Sequence, residues 1–286
     1  MENRESYEIA QAIAQSKIGI IGMGNIGRAT AVGLLNSNLL SNLVVSNRSR
    51  FETINKSEAL IADNHISVAE NNSQLVHSCD MIIIALKQAQ MREELILWKE
   101  SKILDNSKLL ISFAAGVRID TIKKWVGNPN QPIIRIMPNT PVAIGKGVFG
   151  WTVSNEVTLG QIKMIQYILG SLGTQYLVKS DEDIDSITAI SGSGPAYFYL
   201  FAEFVIREAM NMGIQQKDAE RIVQQTFIGA GELLAHSDES LPDLRKKITS
   251  KGGTTEKAIQ SFNEDNLYLL IKKAMMSAKK RAGELG

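Results

Sequence analysis

The sequence predicts an α/β protein in two parts, a doubly wound and mostly parallel β-sheet followed by an all-α region. Short apolar runs alternate with amphipathic stretches over residues 17–178, and the runs are apolar at almost every position. No run of this kind follows Ser180. Strands that are apolar throughout are typical of a parallel sheet with helices on both faces. We therefore expect one domain over 1–179, including an N-terminal extension over 1–16, and a second over 180–286.

Seven apolar runs are predicted to form the strands of the first domain, with helices between them. The predicted strands cover residues 17–21, 43–46, 81–86, 109–113, 133–137, 148–152 and 174–178. The clearest helical stretches between them cover residues 25–36, 91–98 and 156–169. The extension over residues 1–16 is polar, so we expect a frayed or helical segment and no signal peptide.

Three long segments with helical periodicity make up the second domain, at 195–212, 216–235 and 264–281. The part of the first segment from Ala196 to Met212 is apolar on nearly every side, which is typical of a helix buried all round. One small helical domain rarely buries a helix so completely by itself. We therefore expect an all-α dimerisation domain.

Composition excludes several other kinds of protein. The net charge of +1 provides no general attraction for nucleic acid or for an anionic membrane. No run of about 18 apolar residues lacks a charge, so we predict no membrane span. The single cysteine, Cys79, excludes an internal disulfide framework and suits the cytoplasm. His65, His77 and His236 show no metal-ligand spacing, so we predict no metal site.

A glycine-rich loop follows the first predicted strand and opens the first helix of that domain. It reads Gly22-Met23-Gly24-Asn25-Ile26-Gly27. In this context the three glycines allow, in turn, a tight turn, close approach of a pyrophosphate, and close packing of helix on strand. The helix N-terminus then offers N–H groups to the phosphates. The loop predicts a Rossmann-type dinucleotide site, and the alternative is a glycine-rich turn without a ligand.

The end of the second predicted strand indicates which nicotinamide cofactor is preferred. An acidic residue there would bind the ribose 2′-hydroxyl of NAD. This strand ends instead in Ser46-Asn47-Arg48-Ser49, with no acidic side chain. Arg48 can form two bonds to a 2′-phosphate, and Ser46 and Ser49 add hydroxyl donors. The sequence therefore favours NADPH, and the alternative is that Arg48 is a solvated loop residue.

Three further segments carry a family resemblance. They are Met137-Pro138-Asn139-Thr140-Pro141, Ser191-Gly192-Ser193-Gly194-Pro195-Ala196-Tyr197, and Ser250-Lys251-Gly252-Gly253-Thr254-Thr255. In this order and spacing the chain resembles the pyrroline-5-carboxylate reductases, from residue 17 to about residue 281. The resemblance implies reduction of the cyclic imine 1-pyrroline-5-carboxylate to proline, the last step of proline biosynthesis.

The resemblance also implies where cofactor and substrate bind. The turn 137–141 would lie beside the nicotinamide, and the segments after the third and fourth predicted strands, at 85–88 and 114–116, would contact the cofactor. The loop 250–255 would bind the substrate carboxylate through N–H groups. With the glycine-rich loop, the expected cofactor contacts are Gly22, Met23, Gly24, Asn25, Ile26, Gly27, Ser46, Asn47, Arg48, Ala85, Lys87, Ala115, Gly116, Pro138 and Asn139. The expected substrate contacts are Ser250, Gly252, Gly253, Thr254 and Thr255.

The resemblance further implies a homodimer, assembled into a larger homo-oligomer such as a decamer. The helical domains would interleave, so that the cofactor domain of one chain meets the glycine-rich loop of its partner. The sequence departs from the family pattern at three places: Gln88 and Lys251 each replace a proline, and the segment 263–266 lacks the usual Gly-Phe. These departures concern loop geometry and substrate range.

The residues of the third segment suggest how the chemistry is done. Consecutive N–H groups at the start of a helix form a good cradle for a carboxylate. The Thr255 hydroxyl is the best candidate to hydrogen-bond the ring nitrogen and deliver a proton. The alternative is that Thr254 or Thr255 only caps the helix. Ser191 and Ser193 have the same two interpretations, a substrate contact or a helix cap.

Two other functions compete with this one. The chain could be a related reductase of another cyclic imine or of a hydroxy acid, although Lys217 and Lys251 do not match the lysine that hydroxy-acid dehydrogenases use. It could also be a noncatalytic dinucleotide-binding sensor. Tight NADPH binding without oxidation by any imine would favour the sensor.

Overall fold

A computed structural model of the chain describes residues 2–39, 43–47 and 66–285. The contacts divide the chain into two compact units. Unit 1 comprises Met1–Ser193 with Ala278–Gly286, and unit 2 comprises Gly194–Ser277. Residues 180–193 thus group with the sheet, whereas the domain limit at 179 and 180 is a sequence-based prediction.

Unit 1 contains one eight-stranded sheet in the order β3-β2-β1-β4-β5-β6-β7-β8. All neighbouring strands are parallel except β6 and β7. The predicted doubly wound, mostly parallel sheet is therefore confirmed, with strand ends that differ from the prediction by one or two residues. The short β3 was not predicted. The strands are β1 (Ile18–Ile21), β2 (Leu43–Ser46), β3 (Ile66–Val68), β4 (Met81–Ile84), β5 (Leu109–Ser112), β6 (Ile133–Met137), β7 (Gly147–Val153) and β8 (Gly173–Leu177).

Apolar side chains are buried on both faces of this sheet. Alternate residues of one strand point to opposite faces, so Ile20 joins one core cluster and Ile21 the other. The covering elements are α1 (Glu2–Gln15), α2 (Asn25–Asn36), α3 (Asn72–Ser78), α4 (Gln88–Ser101), α5 (Ile119–Val126), a 3₁₀ helix (Thr140–Ile144), α6 (Leu159–Leu172), α7 (Asp181–Ile187) and a π-helix (Thr188–Gly192).

The N-terminal extension is a helix that belongs to the core of unit 1. Ile13 of α1 is fully buried in the cluster that contains β1, and Ile9 packs against that cluster. A salt bridge joins Glu5 to Lys163 of α6. Of the two expectations for this segment, the helical one is correct.

Unit 2 is entirely helical, as predicted. Its helices are α8 (Gly194–Asn211), α9 (Gln216–His236), α10 (Leu241–Lys247), α11 (Thr254–Glu264) and α12 (Leu267–Glu284), the last of which continues into residues of unit 1. The prediction of a helix starting at Glu264 was wrong, because α11 ends at that residue. Asn266 between α11 and α12 has a left-handed φ of 54°. Asparagine tolerates this conformation better than most residues, so it can stand where the family has glycine.

The helices of unit 2 bury very little within one chain. Only Gly194, Ala219 and Val223 are buried among residues 194–277. Phe198 and Tyr199 on α8 are 64% and 66% exposed. An apolar surface of this kind is typical of a protein–protein interface. No helix among the described residues is long and apolar enough to cross a membrane.

Candidate functional site

The carboxyl ends of β1, β2, β4 and β5 meet at one edge of the sheet. Ile21 at the end of β1 pairs with Ser46 of β2 and with Ile84 of β4. Ile84 in turn pairs with Ser112 of β5. The strand order reverses at β1, between β2 and β4, and ligands of such sheets bind in the crevice outside this point. The segments that follow these strands are those predicted to contact the cofactor.

The three glycines of the loop after β1 differ in their surroundings as the motif predicts. Gly22 has a φ of 98°, which side chains rarely adopt, and a Cβ there would lie 2.6 Å from the Ala85 carbonyl oxygen. A Cβ on Gly27 would lie 2.0 Å from the Gly22 carbonyl oxygen. No described atom lies within 4 Å of a Cβ built on Gly24. The turn and the packing thus require glycine at positions 22 and 27, whereas position 24 leaves open space.

Helix α2 begins directly after this loop without a capping side chain. Its N-cap is Gly24, and its first turn carries no acidic residue. The side chain of Met23 is 1% exposed and belongs to the apolar core, so only its backbone can reach a ligand. The exposed Asn25 and half-buried Ile26 form the first turn. Uncapped N–H groups and the helix dipole are suited to a phosphate.

Two buried side chains mark the end of β2. The Ser46 hydroxyl donates to Asn72 Oδ1 on α3 at 2.7 Å, and both residues are buried. This bond uses the only proton of the hydroxyl, so the predicted role of Ser46 as a phosphate donor does not fit its contacts. Asn47 is buried, and its Nδ2 has no hydrogen-bond partner among the described residues. Arg48 and Ser49 lie outside the described residues.

An unpaired buried amide is costly, at about 1–3 kcal/mol. Asn47 Nδ2 has no partner among the described residues, so it is a candidate donor to a polar ligand at the sheet edge where a dinucleotide is expected. This orphan donor, the open space at Gly24 and the uncapped α2 together fit NADP. Asn72 was not singled out from the sequence, because its contact with Ser46 joins residues that are 26 positions apart.

The segments after β4 and β5 also reach this edge. The N–H of Ala85 donates to the Ile21 carbonyl at 2.8 Å, which places Ala85 beside the glycine-rich loop. Lys87 is the N-cap of α4 and has an exposed side chain. Gln88 is the first residue of α4, where proline is favoured because the N–H has no partner within the helix. Replacement of the family proline by Gln88 therefore leaves the helix start intact.

The segment Ala115-Gly116 follows β5 and turns sharply. Gly116 has a φ of 76°, and it is buried, while Ala115 is half-buried. The Ser112 hydroxyl accepts from the N–H of Ala114 at 3.3 Å, which fixes the start of this turn. The turn thus presents mainly backbone groups, in agreement with a cofactor contact that does not need a specific side chain.

The turn after β6 is held by its asparagine. Pro138 and Asn139 are both buried. Asn139 Oδ1 accepts from the N–H of Val148 at 2.8 Å, and Asn139 Nδ2 donates to the Ser191 carbonyl at 3.1 Å. Both ends of the amide are therefore used by the protein, and a cofactor contact of this turn falls to its backbone and to Pro138.

The predicted substrate loop of unit 2 is a tight turn before α11. The N–H of Gly253 donates to the Ser250 carbonyl at 3.0 Å, and Gly252 has a φ of 73°. These are features of a type II turn, in which proline is common but not required at the second position. Lys251 occupies that position, so the loss of the family proline is compatible with the turn.

The start of α11 leaves its threonine hydroxyls available. The N-cap position is occupied by Gly253, and no side chain caps the helix. The capping alternative for Thr254 and Thr255 is therefore wrong. Neither hydroxyl bonds a described residue. Glu256 Oε2 accepts from the N–H of Gly252 at 2.8 Å, which uses one N–H of the loop. The remaining N–H groups at the helix start can still receive a carboxylate.

The two serines of the second motif segment have different environments. Ser191 is buried in the π-helix, and its hydroxyl donates to the Ile187 carbonyl at 3.0 Å. The N–H of Ser193 donates to the Thr188 carbonyl at 2.9 Å. The Ser191 hydroxyl is thus neither a helix cap nor a free substrate contact. Among the described residues, no group of three or more His, Cys, Asp or Glu side chains is placed to hold a metal ion.

Comparison with known proteins finds relatives that match nearly the full length of the chain. Residues 181–285 match the family described as pyrroline-5-carboxylate reductase dimerisation, and residues 17–116 match NADP oxidoreductase, coenzyme F420-dependent. The pyrroline-5-carboxylate reductase of Vibrio alginolyticus is 32% identical over 94% of this chain and 97% of its own length.

Two solved structures have the same fold over nearly the full length. One is the pyrroline carboxylate reductase of Plasmodium falciparum with NADP bound, at 30% identity and a TM-score of 0.84, covering 96% of this chain and 99% of that one. The other is a pyrroline-5-carboxylate reductase from Coxiella burnetii, at 33% identity and a TM-score of 0.82, covering 95% and 98%.

Proposed function

Because the chain belongs to the pyrroline-5-carboxylate reductase family, we propose that it reduces 1-pyrroline-5-carboxylate to L-proline with NADPH. The observation that carries this proposal is the set of groups at the sheet edge: open space at Gly24, an uncapped α2 and the orphan amide of Asn47. These groups fit a dinucleotide, and a reductase of a C=N bond needs one.

The cofactor would be bound mainly by backbone groups of unit 1. The uncapped N-terminus of α2 would receive the pyrophosphate, and the segment 85–87 would lie along the ribose. Asn47 Nδ2, which has no partner in the part of the chain that the structure describes, would gain a hydrogen bond to the cofactor. A bound NADPH would supply the hydride for the imine carbon.

The preference for NADPH is a separate proposal that rests on Arg48. The strand end Ser46-Asn47-Arg48-Ser49 contains no acidic residue that would select NAD. We expect Arg48→Ala to raise the KM for NADPH at least tenfold and to leave the KM for NADH nearly unchanged. A charge-assisted bond is worth about 1.5–3 kcal/mol, which corresponds to that factor. Equal weakening of both cofactors would show that Arg48 does not bind the 2′-phosphate.

The substrate would be oriented by the turn before α11. Its carboxylate would accept from the N–H groups of Thr254 and Thr255, where the helix dipole also favours an anion, whereas the Gly253 N–H is used by the Ser250 carbonyl within the turn. The Thr255 hydroxyl, which bonds no described residue, would hold the ring nitrogen and provide its proton. A protonated cyclic imine is already an electrophile, so the protein mainly needs to position it.

One assay tests the proposed activity against its alternatives. Purified protein is mixed with NADPH or NADH and with pyrroline-5-carboxylate, a six-membered piperideine carboxylate, or a keto acid. We expect NADPH oxidation to be fastest with pyrroline-5-carboxylate and to yield proline. Faster turnover of another imine, or of a keto acid, would reassign the substrate. NADPH binding without turnover of any of these compounds would support the sensor function.

The assembly is proposed as a homodimer through unit 2, which can combine into a larger oligomer such as a decamer. Unit 2 buries very few residues within one chain and exposes many apolar side chains, and both observations support a dimer. Light scattering coupled to size-exclusion chromatography measures the mass, and a monomer at micromolar concentration would contradict the proposal. The cytoplasmic location is proposed from Cys79, the only cysteine, which suits a reducing compartment.

A further inference from the structure

The turn 137–141 contacts neighbouring elements of unit 1 on two sides. It joins β6 to the 3₁₀ helix (Thr140–Ile144), which packs closely on α2. A Cβ on Gly33 of α2 would lie 2.4 Å from the Val142 carbonyl oxygen. Asn36 at the end of α2 also donates to the Ala143 carbonyl at 3.4 Å. The helix that opens at the glycine-rich loop and the turn 137–141 are therefore tied together.

On its other side, the turn contacts the π-helix. Asn139 Nδ2 donates to the Ser191 carbonyl, and a Cβ on Gly192 would lie 2.7 Å from Met137 Cε. The two segments are 52 residues apart in the chain. The turn and the π-helix are therefore in close contact, and loss of the Asn139 bond to the Ser191 carbonyl would allow the turn to shift.

The π-helix is itself anchored to the same strand. Arg135 of β6 is 2% exposed and pairs with Asp181 and with Asp185, both on α7. Helix α7 leads directly into the π-helix. The segment 181–192 is thus attached to β6 through Arg135 and to the turn that follows β6 through Asn139.

We propose that Asn139 is a positioning residue, whose amide braces the turn 137–141 between Val148 and the Ser191 carbonyl and thereby sets the angle at which the nicotinamide lies. This inference rests on the proposed function. Asn139 then acts on the reaction through the backbone and Pro138, not as a ligand of the cofactor. Hydride transfer depends on the placement of the reacting atoms within about 1 Å.

If Asn139 braces the turn, its substitution should lower turnover and leave the affinity for the cofactor nearly unchanged. The affinity for NADPH would be carried by the phosphate and ribose contacts, which Asn139 does not make. In Asn139→Asp the acceptor for Val148 remains, but the donor to the Ser191 carbonyl is lost. In Asn139→Ala both bonds are lost.

The test compares both variants with wild type in steady-state turnover and in fluorescence titration with NADPH. We expect kcat to fall at least tenfold in each variant, while the Kd for NADPH changes less than threefold. A matched control is Asn128→Asp in the loop before β6, where Asn128 Oδ1 also accepts a backbone N–H and Nδ2 donates to Asn106. Its kcat should remain within twofold of wild type.

Hydrogen exchange provides a readout that does not depend on the substrate. In Asn139→Ala the amide of Val148 and those of residues 188–193 should exchange faster than in wild type. An increase of Kd by the same factor as the loss of kcat would make Asn139 a cofactor ligand and overturn the proposal. Unchanged kcat, or unchanged exchange at Val148, would also overturn it. Wild-type protein that turns over no imine, with the exchange difference present, would reject the proposed function alone.

Discussion

At the scale of single residues, some of the candidate site residues have few partners among the described residues. Asn47 has a buried amide nitrogen without a hydrogen bond among the described residues, and Thr255 has an unbonded hydroxyl next to an uncapped helix start. Ser46 is the opposite case, because its hydroxyl is already bound to Asn72. The residue types alone do not distinguish these cases. Only the partner of each polar atom decides whether it is available to a ligand.

Substitution of Thr255 tests its catalytic role. We expect Thr255→Ala to lower kcat by about tenfold to a hundredfold, since loss of a positioned proton donor has effects of this order. The Kd for NADPH and the melting temperature should stay unchanged, because the hydroxyl bonds no described residue. Thr255→Ser keeps the hydroxyl and should retain most of the activity.

A matched control is Thr226→Ala, since among the described residues the Thr226 hydroxyl bonds the Ile222 carbonyl of its own helix and no other group. Its kcat should be close to that of wild type. Full activity of Thr255→Ala with a lowered melting temperature would instead assign Thr255 a structural role.

At the scale of elements, the segment from β1 through the glycine-rich loop to α2 contains glycines with different roles. We expect one of them to matter for stability and another to matter for cofactor binding. Gly27 is required by contact between α2 and the loop, whereas Gly24 borders open space. A small side chain has different consequences at the two positions, although both belong to one motif. The turn 137–141 shows the same principle, because its neighbours on α2 and the π-helix determine where it lies.

Alanine substitutions at Gly24 and at Gly27 should therefore affect different properties, cofactor binding in the first case and thermal stability in the second. Gly24→Ala should weaken NADPH binding at least tenfold and leave the melting temperature unchanged, because its methyl group meets no described atom. Gly27→Ala places a methyl group 2.0 Å from the Gly22 carbonyl oxygen. Overpacking of this kind costs about 1–3 kcal/mol, so the melting temperature should fall by about 3–9 °C. Thermal denaturation and NADPH titration measure both. A reversed pattern would assign the packing contact to Gly24.

At the scale of the whole molecule, one chain lacks a complete set of packing partners. Unit 1 has a sheet buried on both faces, but unit 2 buries only three residues in one chain. Hydrophobic burial is the main source of stability for a folded domain. A second copy of the chain would provide the missing burial, and the family resemblance implies that the helical domains interleave.

Mixed dimers test whether the active site is shared between subunits. Gly24→Asp should abolish cofactor binding, and Gly253→Asp should abolish substrate binding, so each homodimer would be inactive. If sites are shared, one site of a mixed dimer carries both lesions and the other carries none. Heterodimers purified through two different tags should then recover up to about half of the normal activity, provided that distant effects add. Folded heterodimers that bind NADPH without recovered turnover would contradict shared sites.

The sequence by itself determined the order of seven of the eight strands and the cofactor loop. Apolar periodicity depends on the repeat of the backbone, and the glycines at 22 and 27 are dictated by conformations and contacts within a few residues of each other. The turn before α11 was also foreseeable, since Gly252 needs a positive φ. The sequence pattern predicted the wrong helix boundary at residues 264–266. There α11 ends at Glu264, and α12 begins at Leu267 after the left-handed Asn266.

Only the tertiary structure decided which polar side chains are free. The bond between Ser46 and Asn72 spans 26 residues, and that between Asn139 and Ser191 spans 52. Such pairs form because the sheet brings distant segments together, and no pattern within one segment specifies them. For this reason Ser46 and Asn139 were predicted as ligand contacts from their positions, whereas their side chains are engaged in holding the site together.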